Sequence, residues 1–226
     1  MFAIAIGAAL AQDVVAVESI VEPSPDAAHK KGGGKKKKDG PKKFMGWSYK
    51  PYVSPGGGAR ITSGNEVAIE AGADVGVKYW RDNWVGNLYA GGTYATGASY
   101  SGYELHVGDT FGRREKFWGL GIGVEGFYDG YFDADGGNVL APSFGVDIPL
   151  ELTLGPKKYY VYGGVTPSFL SNRSRHVDTL PFGDELEWEV GAGLKLEGVR
   201  VRAGFAQRIT VAGTINTPTL SVTLGD

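Results

Sequence analysis

The stretch Glu66–Trp80, EVAIEAGADVGVKYW, decides the fold. Val67, Ile69, Ala71, Ala73, Val75, Val77 and Tyr79 fall on one parity, and Glu66, Glu70, Asp74 and Lys78 on the other. A backbone whose side chains alternate between two faces separates these sets, whereas a 3.6-residue helix would scatter the acids around its circumference. Gly72 and Gly76 would weaken a helix further. The segment is therefore a strand with one apolar and one charged face.

The same alternation recurs to the C-terminus. Ser143, Asp147, Glu151 and Thr153 oppose Leu140, Phe144, Val146, Ile148, Leu150, Leu152 and Leu154. Glu185, Glu187, Glu189 and Lys195 oppose Leu186, Trp188, Val190, Ala192, Leu194 and Leu196, and Arg200, Arg202 and Arg208 oppose Val199, Val201, Ala203 and Phe205. Weaker members at about 46–61, 84–97, 101–112, 117–131, 158–171 and 214–225 bring the count to ten. An even count lets an up-and-down barrel close with both chain ends on one side.

Composition agrees. There are 37 glycines and 27 aromatics, without the Gly-X-Y period of collagen or the aromatic poverty of disordered chains. The absence of cysteine excludes a disulfide scaffold, thiolate metal sites and cysteine nucleophiles, and three histidines, His29, His106 and His176, leave little for an imidazole metal site. No metal or cofactor is expected on these grounds.

Upstream, Met1–Ala11 (MFAIAIGAALA) is an apolar run ending in the small-x-small pattern Ala9-Leu10-Ala11, the pattern of a signal peptide, and it is too short for a membrane-spanning helix. Residues 12–43 carry no hydrophobic period. Lys30, Lys31, Lys35, Lys36, Lys37, Lys38, Lys42 and Lys43 against Asp39 give the stretch Lys30–Lys43 a charge of +7, and the sequence from Phe44 onward carries −5. Such a segment cannot bury enough apolar surface to offset its ordering entropy, so a disordered lysine- and glycine-rich linker is expected. After export its partners would be anionic lipid head groups or cell-wall polymers, and not nucleic acid.

Connections supply a second signal. Short turns follow the second, fourth, sixth and eighth segments, at Arg81-Asp82-Asn83, Gly112–Lys116, Gly155–Lys158 and Glu197-Gly198, and longer polar connections are expected after the third, fifth, seventh and ninth. The longest is Ser171–Asp184, and Ser63-Gly64-Asn65 is short. Gly56-Gly57-Gly58 reads as a strand kink or bulge.

On these residues the chain resembles small bacterial outer-membrane β-barrels over about Met45–Asp226, in architecture and without a family-specific motif. The resemblance implies an all-β, closed antiparallel up-and-down transmembrane barrel over residues 44–226, with ten strands and eight as the alternative, set in outer-membrane lipid. Such barrels commonly finish on an aromatic residue, whereas this sequence ends Ser-Val-Thr-Leu-Gly-Asp with Leu220, Val222 and Leu224 still alternating. A soluble sandwich or lipocalin-like barrel would also alternate, but its charged face would be rich in lysine, which is nearly absent from these strands. Tyr79, Trp84, Trp118, Tyr159, Trp188 and Phe205 sit on the apolar face, several near turns, as an interfacial girdle requires.

A barrel of this kind turns its charged face inward. The expected lumen network is Glu66, Glu70, Asp74, Lys78, Glu104, His106, Glu125, Asp129, Asp147, Glu151, Glu187, Glu189, Lys195, Arg200, Arg202 and Arg208. A tight turn at Glu197-Gly198 pairs residues whose numbers sum to 395, which sets Glu187 opposite Arg208. Ten strands enclose little more than their own side chains, and unpaired buried charge is costly, so the network reads as a plug in a structural or interaction barrel. The alternatives are a narrow cation-preferring channel and a surface-loop enzyme or adhesin acting through Ser171–Asp184. No catalytic arrangement is expected: His106 precedes Val107 and Gly108, His176 precedes Val177 and Asp178, and neither follows the histidine patterns of protease or lipid-hydrolase barrels.

Overall fold

The computed structural model describes residues 42–133, 138–170, 183–210 and 213–225. They form strands β1 (Lys42–Phe44), β2 (Trp47–Thr62), β3 (Val67–Arg81), β4 (Trp84–Gly97), β5 (Tyr100–Arg114) and β6 (Trp118–Asp133). The remainder are β7 (Asn138–Asp147), β8 (Leu150–Leu154), β9 (Tyr159–Leu170), β10 (Glu185–Leu196), β11 (Val199–Thr210) and β12 (Gly213–Leu224). Each pairs antiparallel with its neighbours, and β12 returns to β2, closing a barrel with ten wall positions.

Strands β7 and β8 share one of those positions. Asp147 pairs Glu125 and Leu150 pairs Ile122, so the register against β6 runs unbroken across Ile148-Pro149. Pro149 has no N–H to give the ladder, yet its carbonyl still accepts from Gly123 N at 2.8 Å. The break is one missing donor in a continuous wall strand. Strand β1 is the supernumerary element: it folds back on β2 through Met45-Gly46, whose positive φ values of 49° and 82° suit a two-residue hairpin turn. Lys42 and Lys43, expected in the linker, therefore belong to a strand. Residues 1–41, including the expected signal peptide and Lys30–Lys38, lie outside the described residues.

The faces sort by parity, as the alternation requires. Val67, Ile69, Val75, Leu105, Val107, Leu120, Ile122, Val124, Leu152, Val190 and Leu220 point outward, and Val124 is 60 % exposed. Asp129, Asp147 and Ser168 point inward, at 7 %, 8 % and 1 %. A soluble barrel would reverse this ordering, because apolar area removed from water is what stabilises its core. Here the exposed apolar band needs a lipid solvent.

One end carries the tight turns Asp82-Asn83, Glu115–Phe117, Gly155–Lys158 and Glu197-Gly198 together with β1; it is termed the turn end. Backbone bonds lace neighbouring turns there, from Arg114 N to Asn83 O at 2.8 Å and from Gly155 N to Phe117 O at 2.8 Å. The outward aromatics of this rim interlock: Trp47 packs on Tyr79 at 5.8 Å, and Trp84 stacks on Phe111 at 5.2 Å with Arg113 over its ring. The opposite, loop end has its own cluster of Tyr103, Tyr128 and Phe132. The expected alternation of connection lengths fails at one described place, because β4 and β5 are joined at the loop end by Ala98-Ser99 alone.

One sequence expectation about β2 is corrected. Its register with β3 runs without a slip from Ser48↔Trp80 to Ile61↔Val67, so Gly56-Gly57-Gly58 makes no bulge there. The glycines serve close approach: a Cβ on Gly58 would lie 2.3 Å from the Pro218 carbonyl oxygen of β12. This β2–β12 seam has six register pairs, whereas β11 and β12 share twelve. Pro55 and Pro218 lie within it.

Candidate functional site in the lumen

Three arginines organise the interior. Arg208, on β11, donates from Nε to Glu185 Oε2 at 2.9 Å and from Nη1 to Glu104 Oε2 at 3.4 Å. Strand β5, which carries Glu104, lies five places from β11 around a ring of ten, so this contact crosses the full bore. Arg202, six residues nearer the turn end on the same face of β11, meets Glu151 at 2.6 Å and Glu189 at 3.7 Å, with its guanidinium 3.7 Å from the Tyr162 ring centroid. Arg60, on β2, pairs with Glu70 and reaches the Tyr131 hydroxyl at 3.4 Å. Planar guanidinium forks suit this work because each can bridge two acceptors in fixed directions.

A fourth centre is built on His106. Its Nε2 lies 2.8 Å from Asp74 Oδ1, although β3 and β5 are separated by β4. Gly91 on β4 makes the contact possible: a Cβ there would lie 2.1 Å from Asp74 Oδ1 and 2.8 Å from His106 Nε2. The other imidazole nitrogen, Nδ1, is 3.8 Å from Glu104 Oε1 and has no hydrogen-bond partner. Glu104, His106 and Glu125 place one potential ligand atom each within 4.8 Å of one another.

Between these centres, toward the loop end, is a cavity of about 260 Å³. Its walls include Glu70, Glu104, Glu125, Asp147 and Glu187 against Arg60 and Arg208. The turn end is of opposite character. Lys50 pairs in register with Lys78, Lys195 with Arg200, and Arg114 bonds Thr153 and the Gly155 carbonyl.

The remaining sequence-named positions are placed as follows. Glu66 lies in the β2–β3 connection, before β3 begins, and binds Ser99 at the loop-end rim. Asp129 accepts the Ser143 backbone N–H at 3.1 Å. Glu187 does stand opposite Arg208 in the β10–β11 register, while the arginine's short contact goes to Glu185, one diagonal away. Arg60, Glu185, Tyr89 and Tyr131 are lumen-lining groups absent from the sequence-derived set. Hairpin pairing about Ser63-Gly64-Asn65 was the available signal for Arg60, because it sets Arg60 opposite Ala68, diagonal to Glu70. His176 and Asp178 lie outside the described residues.

No family model matches the chain, and no curated protein matches it. Among solved structures, the chain is similar to the beta domain of the Bordetella autotransporter BrkA, at 14 % identity and a TM-score of 0.50, over 78 % of this chain and 98 % of that one. It also matches the translocator domain of the autotransporter NalP from Neisseria meningitidis, at 8 % identity, 78 % and 88 % coverage and a TM-score of 0.42. Neisserial surface protein A matches at 10 % identity, 80 % and 99 % coverage and a TM-score of 0.38. The fold is that of the bacterial outer-membrane β-barrels.

Proposed function

We propose that the chain is an outer-membrane β-barrel with a structural or interaction role, its bore braced shut by the guanidinium network. The observation that carries this reading is the Arg208–Glu104 contact between wall strands on opposite sides of the barrel. A side-chain bridge across the bore blocks passage and stiffens the wall together, and the Arg202–Glu151 bridge adds a shorter chord spanning three wall positions, from β11 to β8. The role is not catalytic in this reading. Asp74 and His106 form a base-and-orienter pair, but the second imidazole nitrogen faces the carboxylate of Glu104 and not a nucleophilic hydroxyl.

Reconstitution in planar bilayers tests the brace. The natural sequence should pass no unitary current, and the Arg208→Ala, Glu104→Ala pair should admit small steps. Steady steps from the natural sequence would overturn the reading. They would instead support a narrow cation-preferring channel, which the cavity favours through its five carboxylates and two guanidiniums. Boiled and unboiled samples should migrate differently on a gel, as a lipid-inserted barrel does and a soluble sandwich does not.

The lysine-rich segment 30–43 completes the reading. Strand β1 tethers it at the turn end, so its cations would emerge on that side of the membrane, facing anionic wall polymers if the turn end is periplasmic. Deleting Lys30–Lys38 should abolish co-sedimentation with purified wall sacculi, and undiminished co-sedimentation would remove the linker from the proposal.

A further inference from the structure

We propose that Glu104, His106 and Glu125 form a site for one divalent first-row transition ion, with Zn²⁺ as the test case. The site is a property of the inner wall, independent of whether the bore conducts. Composition argued against it, since three histidines without ligand spacing suggest no imidazole site. The ligands come instead from neighbouring strands, two from β5 and one from β6, which a linear spacing cannot display.

The histidine is already arranged as a ligand. In the neutral imidazole, a hydrogen on Nε2 directed at Asp74 Oδ1, 2.8 Å away, leaves the lone pair on Nδ1. That atom is buried, has no hydrogen-bond partner, and faces Glu104 Oε1. A carboxylate behind the imidazole is the arrangement that orients a metal-binding histidine and raises its basicity. Glu104 is similarly divided, its Oε2 held by Arg208 and its Oε1 turned to His106. Donor atoms around an ion at about 2.1 Å stand roughly 3.4 Å apart, so donors within 4.8 Å need only small side-chain rotations to close on it.

A separate observation calls for a cation at the same place. Asp147 stands directly opposite Glu125 in the β6–β7 register, a like-charge pairing that destabilises a sheet. Asp147 is 8 % exposed, its Oδ1 has no hydrogen-bond partner, and it lines the cavity that Glu104 and Glu125 also line. That cavity gives the ion room to arrive. The imidazole selects against Mg²⁺ and Ca²⁺, which take oxygen ligands.

The test uses the full-length folded protein in detergent, carrying His29→Ala and His176→Ala so that His106 is the remaining histidine. Equilibrium dialysis against Zn²⁺ should give one ion per chain, with Mg²⁺ and Ca²⁺ retained at least tenfold more weakly. His106→Gln and Glu125→Gln should each cut Zn²⁺ affinity more than tenfold, and Asp74→Asn by 10- to 100-fold, in samples that keep folded gel mobility. X-ray absorption on the unsubstituted site needs no variant: it should show one imidazole with oxygen donors. Absence of saturable Zn²⁺ uptake, uptake unchanged by His106→Gln and Glu125→Gln, equal retention of Mg²⁺, or a shell without imidazole would each overturn the proposal.

Discussion

Replacing Arg208 with methionine keeps an unbranched stem and deletes the guanidinium at the centre of the brace. The 2.9 Å contact with Glu185 is a charge-assisted hydrogen bond, worth about 1.5–3 kcal/mol. The 3.4 Å contact with Glu104 adds at most ~1 kcal/mol, and the abandoned carboxylates then face each other with Glu187 nearby. Breaking a fully buried pair costs about 3–5 kcal/mol. Arg208, Glu104 and Glu185 keep 16 %, 18 % and 15 % of their side-chain exposure, so lumen water absorbs part of that loss. The expected loss is therefore near 3 kcal/mol, roughly a hundredfold in the unfolding equilibrium. Urea unfolding in lipid vesicles, followed by tryptophan fluorescence, reads it directly. Neutralising the orphans as well, in Arg208→Met, Glu104→Gln, Glu185→Gln, should recover all but about 1 kcal/mol. A loss below ~1 kcal/mol in the single variant, or no recovery in the triple, would falsify the view that this arginine holds mutually repelling acids together.

Gly91→Ala should unfold at lower urea by about 1–3 kcal/mol, because its methyl group meets Asp74, His106 and the Ala73 carbonyl at under 3 Å; an unchanged midpoint would mean the Asp74–His106 contact is dispensable. Tyr79 donates its hydroxyl to Asp109, a carboxylate on the outward face at 2.8 and 3.1 Å, so Tyr79→Phe should cost about 1–2 kcal/mol and Asp109→Leu should be neutral or stabilising in vesicles. A stability loss in Asp109→Leu would show that the bond from Tyr79 outweighs the cost of holding a carboxylate on the outward face. Trp84→Ala removes the stack on Phe111 and the seat of Arg113, and should cost about 1–3 kcal/mol in vesicles by the same unfolding measurement, with smaller loss in a detergent that lacks a defined interface.

The wall was legible in the sequence because a strand's parity is a local property. Each residue of Glu66–Trp80 except Glu66 itself lies in β3 on the face its parity assigns, and hairpin arithmetic about Glu197-Gly198 reproduces the β10–β11 register. The contents of the bore were less legible, for a physical reason. Arg208 meets Glu104 across a hundred residues of chain only after closure and stagger bring β11 opposite β5, and no spacing encodes that. Arg60 was hidden differently: Pro51, Pro55 and Gly57 thin the apolar side of β2, and Gly56 and Gly58 its inner side, until the alternation no longer shows. Proline also explains the apparent break at Pro149, where chemistry interrupts the ladder and geometry does not.

The sparse β2–β12 seam governs how the barrel comes apart and how it is made. It joins the first and last wall strands, so it cannot form until the whole chain is present, and until then the molecule is an open curved sheet with two unsatisfied edges. Its prolines withhold amide donors on both sides, and its glycines supply no side chains to clasp. Breathing motions should enter here, with amides of Gly56–Gly58 and Thr219–Ser221 exchanging with solvent deuterium ahead of those along β3, β4 and β5. Strand β1, lying along Trp47–Tyr49, already covers the lower part of one edge before closure, a splint that shortens the stretch the last strand has to find.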